Sequence, residues 1–381
     1  MDLYKKFSNL FDVNIITQLS NKDILISSSN QIKIYSINNF DKIYSFKEIE
    51  SPIISIKSIS EINSTKKNQI ILSISLSDFS IQIISLSKKY KVDTRKKSTQ
   101  TYRHKLHQTI GIKKNNKIET NLCIGTVLNY LILGTHNIIQ YYINKGEEKL
   151  NFVKDKEYKI KTNLKKSDKN ILPNIKGISS IKYKKYILLI IIEEIKIINQ
   201  YDIKIYFFQN FELITHFRNI FLSPEKGLLS YMTNNLDDKK LYLILGDKYD
   251  RIMIIKLFDD FDIYENICLS KIIKELSYNK NNYSNNYEIK SVCGLNDGSF
   301  VICLYYKEAL NEKNYIIRGK INNKNKLELL YINDNVHNNK SNFITSSTMI
   351  MNNKKPEENY FISGDHEGMI KIWKIKSFFN K

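Results

Sequence analysis

Short apolar runs recur from one end of this chain to the other, and each is closed by a polar turn. Ile24-Leu25-Ile26-Ser27-Ser28 is followed by Gln31-Ile32-Lys33-Ile34-Tyr35, and that by Ile43-Tyr44-Ser45-Phe46. Turns spaced about 8–12 residues apart mark short antiparallel strands in a sandwich, barrel or propeller. Ile32 and Ile34 alternate with Lys33 and Tyr35, the period-two pattern of a half-buried strand. No stretch of convincing helical period stands against it. Composition adds weight: of 381 residues one is alanine, Ala309, while isoleucine is abundant. That skew tilts every segment toward strand, so pattern is a firmer guide than propensity.

The rhythm divides into seven units. The second carries Ile70–Ile74 and Ile81–Ile84, the third Leu131–His136 and Ile138–Tyr142, the fourth Tyr186–Ile190 and Ile203–Phe207. The fifth carries Leu241–Asp247 and Arg251–Ile255, the sixth Ser299–Leu304 and Tyr315–Gly319. The seventh holds Phe361-Ile362-Ser363-Gly364-Asp365-His366-Glu367-Gly368-Met369-Ile370-Lys371-Ile372-Trp373 and lacks a fourth strand before Lys381. The segment Leu3–Leu10 is spare and is expected to supply that strand, because an unclosed ring leaves sheet edges unpaired.

The seventh unit resembles a WD repeat, in which one strand ends in Ser-Gly, a polar turn follows, and the next strand ends in Ile-Trp. Ser363 and Trp373 take the family's serine and tryptophan positions, and Glu367 falls where the turn aspartate stands. The chain has no Gly-His dipeptide, so the histidine of that motif has no counterpart. The resemblance implies an all-β fold, a seven-bladed β-propeller closed by an N-terminal strand, spanning residues 1–381 as one domain. Polar insertions are expected near 88–117, 145–174 and 278–286. It also implies a binding platform rather than an enzyme.

The residues themselves offer little to catalysis. There is no glycine-rich phosphate loop, no Gly-x-Ser-x-Gly and no His-Glu-x-x-His. His104 and His107 lie close in sequence, but Arg103 and Lys105 beside them would repel a cation. Cys123, Cys268, Cys293 and Cys303 are unpaired in spacing, which points to a reducing compartment and to neither a disulfide framework nor zinc. No cofactor and no metal is expected. The apolar run Tyr186–Ile192 is too short to cross a bilayer, and the N-terminal residues carry no signal-peptide pattern.

Charge gives the functional expectation. The chain has 59 lysines and arginines against 39 acids, a net charge of +20. Only Arg95, Arg103, Arg218, Arg251 and Arg318 are arginines, so part of the basicity reads as codon drift toward lysine. The stretch Lys88–Lys117 nevertheless concentrates Lys88, Lys89, Arg95, Lys96, Lys97, Arg103 and Lys105 with one acid, Asp93. Interleaved Tyr90 and Tyr102 could stack on bases. These residues are the candidate contact for RNA or another polyanion. The expected role is a scaffold subunit of an intracellular complex, in RNA processing or ribosome biogenesis, in the nucleus or nucleolus.

Two further resemblances name alternatives. Asp247-Lys248-Tyr249-Asp250-Arg251-Ile252 resembles a stretch of the non-catalytic WD-repeat subunit of the tRNA guanine-N7 methyltransferase. Pro224-Glu225-Lys226-Gly227-Leu228 resembles a segment of phosphoinositide-binding propellers; their Arg-Arg motif is absent, with Ile317-Arg318-Gly319 the nearest match, so membrane binding is not expected. A protein-only scaffold in trafficking or ubiquitin ligation is the other alternative.

Overall fold

A computed structural model describes residues 1–8, 12–46, 49–59, 69–92, 98–111, 122–135, 138–146, 150–160, 174–183, 185–195, 200–220, 229–233, 241–246, 251–256, 263–268, 287–294, 299–306, 313–321, 327–333, 336, 344–350 and 360–375. Among them every regular element is a β-strand.

Strand β1 covers Asp2–Ser8. Sheet I follows, with β2 (Ile15–Gln18), β3 (Ile24–Ser27), β4 (Ile32–Tyr35) and β5 (Lys42–Phe46). Sheet II holds β6 (Ile53–Ile59), β7 (Gln69–Leu76), β8 (Ser80–Val92) and β9 (Ser98–Gly111). Sheet III holds β10 (Cys123–Val127), β11 (Tyr130–Thr135), β12 (Ile138–Asn144) and β13 (Phe152–Lys159). Sheet IV holds β14 (Asn174–Tyr183), β15 (Tyr186–Ile195), β16 (Gln200–Phe207) and β17 (Glu212–Ile220). Sheet V holds β18 (Leu229–Thr233), β19 (Leu241–Gly246), β20 (Arg251–Lys256) and β21 (Ile263–Cys268). Sheet VI holds β22 (Tyr287–Gly294), β23 (Ser299–Tyr306), β24 (Lys313–Ile321) and β25 (Leu327–Asn333). Sheet VII is built from β26 (Ile344–Ile350), β27 (Tyr360–Asp365) and β28 (Met369–Lys374), with β1 on its far edge.

β1 pairs antiparallel with β28, Leu3 opposite Trp373 and Ser8 opposite Met369. The N-terminal segment thus covers the edge that the last unit leaves open. Val13 N–H also donates to the Asp365 carbonyl at 3.1 Å, and Ile16 N–H to Ser346 Oγ at 3.0 Å.

The expectation of a seven-bladed propeller is corrected to six blades and one smaller sheet. Six sheets are full blades, with described register through all three strand pairs. Sheet I is smaller. Its strands have four, four, four and five residues, and its described register runs through β3, β4 and β5. Counting apolar runs overlooks this difference, because a run of four residues announces a strand as loudly as a run of eight.

Two expected insertions are corrected as well. Much of 88–117 is strand, since β8 and β9 pair from Ser80 opposite Gly111 to Val92 opposite Ser98. Within 145–174, β13 is the fourth strand of its sheet, pairing with β12. Lysines hide both strands from a hydrophobicity pattern, yet outer strands carry exposed lysine readily because it discourages pairing with other chains. Residues 93–97, 112–121, 147–149, 161–173 and 269–286 lie outside the described residues.

The chain forms two compact units, Met1–Ile16 with Leu222–Lys381, and Thr17–Phe221. In the first, Ile244, Ile252 and Ile254 of sheet V pack on Ile289, Phe300 and Ile302 of sheet VI. The other face of sheet VI sets Val301, Cys303 and Ile316 against Phe361 and Trp373 of sheet VII. In the second, Ile71, Ile81 and Ile83 of sheet II meet Ile124, Leu131 and Leu133 of sheet III. Ile132, Ile139 and Tyr141 of sheet III then meet Ile178, Leu189 and Ile191 of sheet IV. Each fully buried isoleucine contributes about 1.5–3 kcal/mol.

Phe211 shows how a turn serves that packing. Its φ is 55°, a left-handed backbone that costs a bulky residue about 1–2 kcal/mol. The ring lies stacked 4.3 Å from Tyr206 and 4.3 Å from Tyr158 of the neighbouring sheet. Two such contacts at about 0.5–1.5 kcal/mol each offset the strain.

Candidate nucleic-acid interface

β8 and β9 outrun their own sheet. β7 pairs with β8 only as far as Ser87 opposite Gln69, whereas β8 and β9 continue together to Val92 and Ser98. The result is a two-stranded ribbon whose far part has no third strand of sheet II beside it among the described residues. Side chains alternate between its faces, so the register decides what each face carries.

One face turns to sheet I. Tyr102 is 4% exposed. Its hydroxyl donates to Asp23 Oδ2 and accepts from Asn21 Nδ2. Lys88, opposite Tyr102, places Nζ 3.3 Å from Asp23 Oδ2 and 6.0 Å from the Tyr102 ring centroid. His104 lies stacked on Phe46 with centroids 4.6 Å apart, and its Nδ1 is hydrogen-bonded to the Tyr44 hydroxyl at 2.6 Å. From the opposite face, Thr101, which pairs with Lys89, also reaches sheet I: its Oγ1 donates to the Ile43 carbonyl at 3.4 Å. The ribbon is therefore a brace for the short strands of sheet I.

The other face carries the exposed cations. Lys89, Arg103 and Lys105 are exposed, and lie opposite Thr101, Ser87 and Ser85 respectively. Arg103 and Lys105 are two residues apart on one strand, hence about 6.6–6.8 Å apart along it. None of the three side chains has a hydrogen-bond or ion-pair partner among the described residues. Further along β9, His107 Nε2 is hydrogen-bonded to Ser85 Oγ at 2.7 Å. Gln108 clasps the Phe152 backbone, donating from Nε2 at 2.9 Å and accepting at Oε1 at 2.7 Å. The ribbon is thus anchored on both flanks.

The structure so divides the expected contact set. It brings Lys89, Arg103 and Lys105 into one exposed row. It commits Lys88 to Asp23 and turns Tyr102 away from solvent, so neither is presented to a ligand. Arg95, Lys96 and Lys97 fall outside the described residues, as do the side chain of Tyr90 and the stretch Asp247–Asp250. Asp23 was missed in the sequence, and no local signal could have found it, since it stands 79 residues from Tyr102.

In the last sheet, Trp373 Nε1 donates to Ser363 Oγ at 3.1 Å, both side chains buried. The turn acid is corrected. Asp365, not Glu367, organises the turn: its Oδ1 accepts from Glu367 N–H at 3.1 Å and from Met369 N–H at 2.7 Å. A carboxylate at the strand end reaches both amides. Gly368, at φ 87°, completes the turn. Arg318 is 2% exposed with Nε donating to Ser299 Oγ at 3.1 Å, so it faces no lipid headgroup.

Sheet IV holds a second polar set. Lys204 Nζ lies 2.8 Å from Glu193 Oε2, and His216 Nε2 lies 2.8 Å from Asp202 Oδ2. Burial pushes the Glu193 carboxyl above its ordinary range, Lys204 pulls it back, and Asp202 adds to the rise. Glu193 Oε1 has no hydrogen-bond partner among the described residues. The set sits inside the sheet face and is an element of packing.

No protein-family model and no curated protein matches the sequence. Solved structures do. The β-propeller domain of Cps50 (Swd1) from Myceliophteria thermophila superposes with a TM-score of 0.57 at 8% identity, covering 98% of this chain and 99% of that one. BBS1N, crystallised in complex with ARL6DN, superposes with a TM-score of 0.58 at 10% identity, covering 100% of this chain and 98% of that one. The fold is a β-propeller. At these identities the likeness extends to the fold alone.

Proposed function

We propose that this chain is a divergent WD-repeat propeller acting as a non-enzymatic scaffold subunit of a ribonucleoprotein or RNA-processing assembly. A β-propeller suits a protein-interaction role, and BBS1N with ARL6DN is an instance of such a propeller in a protein complex. The observation that carries the RNA part is the row Lys89, Arg103 and Lys105. Three exposed cations on one face of an anchored ribbon, with no acid paired to them among the described residues, suit a polyanion. Codon drift can multiply lysines, but it does not select the arginine. A nuclear or nucleolar site of action belongs to the same reading.

A tagged pull-down from native extract, split with and without RNase, tests it. RNA-processing partners that depart on RNase treatment support it. An RNase-resistant set of trafficking or ubiquitin-ligase components, with no RNA bound, replaces it with a protein-only scaffold.

A further inference from the structure

The same ribbon indicates how RNA would be held, an inference that rests on the RNA reading above. Proteins that hold single strands combine a basic track with aromatic side chains on which bases stack, and stacking supplies about 1–3 kcal/mol per base. Here the aromatic groups that β9 offers are spent internally. Tyr102 is closed off by Asp23 and Asn21, and the His104 ring covers Phe46. Ser85 is buried against His107 and Thr101 bonds the Ile43 carbonyl, so what this face exposes is Lys89, Arg103 and Lys105. These groups form hydrogen bonds and ion pairs with phosphate oxygens, and none offers a ring to a base.

We infer that the Lys89–Arg103–Lys105 face is a sequence-independent phosphate-backbone site that takes double-helical RNA in preference to single strands. With Tyr102 and His104 turned inward and His107 held by Ser85, affinity follows phosphate density and counterion release, and a duplex presents two backbones where a single strand presents one. The bracing of the ribbon fixes the row before binding, which suits a rigid helix whose phosphates are also fixed.

Fluorescence anisotropy on the full chain tests this with three probes: a fully paired RNA hairpin, oligouridine with the same number of phosphates, and inorganic polyphosphate. The expected result is tighter binding of the hairpin than of oligouridine, no change when the hairpin's base pairs are shuffled, and competition by polyphosphate. Log affinity should fall against log salt with a slope of about −3, the value for three phosphate contacts. Lys89→Gln/Arg103→Gln/Lys105→Gln should flatten that slope; the Glu series at the same positions should abolish binding. Tighter binding of oligouridine, or dependence on base identity, overturns the backbone inference while leaving RNA binding in place. Hairpin binding that survives the Glu series unchanged, in a variant with unaltered circular dichroism, overturns the RNA reading of this face itself.

Discussion

The Lys88 ammonium lies 3.3 Å from Asp23 Oδ2, joining the second sheet to the first across 65 residues of chain. Asp23 also takes the Tyr102 hydroxyl and, at 3.3 Å, the Ile37 N–H. One buried carboxylate thus ties a ribbon, a turn and a short sheet together. Lys88 spent here is a lysine withdrawn from any ligand.

Tyr102→Phe should therefore destabilise the protein by about 1–3 kcal/mol, the cost of leaving a buried carboxylate short of a donor. Denaturant midpoints with an unchanged m-value would show it. Lys88→Met should weaken the fold and leave polyanion binding near the wild-type level, in contrast to substitution of its neighbour Lys89.

Trp373→Phe should cost about 1–3 kcal/mol, because Ser363 Oγ loses its donor in a buried site and the core loses ring area. Ser363→Ala should cost no more than this. Loss of the near-UV signal of Trp373, the only tryptophan of the chain, gives a local probe of how the last sheet melts in the serine variant.

Gly364 and Gly111 make a matched pair. A Cβ on Gly364 would come within 2.5 Å of Val13 Cγ1 and 2.8 Å of Val13 Cβ, whereas one on Gly111 meets nothing within 4 Å. Gly364→Ala should shift the N-terminal segment and destabilise by about 1–3 kcal/mol. Gly111→Ala should be neutral or stabilising by up to about 1 kcal/mol. Thermal midpoints of the two variants in parallel check the contrast.

Glu193 and Lys204 should show strong coupling. Lys204→Met leaves a buried carboxylate without its counter-charge and should cost about 3–5 kcal/mol at neutral pH. Because the Glu193 carboxyl is raised in the folded state, its favourable contribution is complete below the unfolded carboxyl range and is lost as pH rises through the folded value. The Lys204→Met variant should accordingly recover stability as pH falls toward 4, roughly the unfolded carboxyl range. The double variant Glu193→Leu/Lys204→Met should lie closer to wild type than Lys204→Met at neutral pH. Urea titrations across pH test both statements.

The strand rhythm was legible because isoleucine marks buried positions and polar turns mark the gaps. Ile24–Ser27, Leu131–Thr135 and Tyr186–Ile190 all fall in strands where the pattern put them. Ser363 and Trp373 were legible because their spacing spans one hairpin. The size of sheet I was not, since ladder length depends on which partner strand reaches how far. Nor was β9: its Thr-Tyr-Arg-His-Lys sequence reads as a solvated segment until Tyr102 and His104 are seen packed against Asp23 and Phe46. The motif's acid position fell on Glu367 rather than Asp365 for a smaller reason, a two-residue offset between motif alignment and hydrogen-bond reach.

The most direct test of the account is ultraviolet crosslinking of RNA to the protein in cells, comparing wild type with the Lys89→Glu/Arg103→Glu/Lys105→Glu variant at equal abundance. The account predicts RNA crosslinked to wild type and its loss in the variant, with the protein still folded. Equal crosslinking in both, or none in wild type, would contradict it.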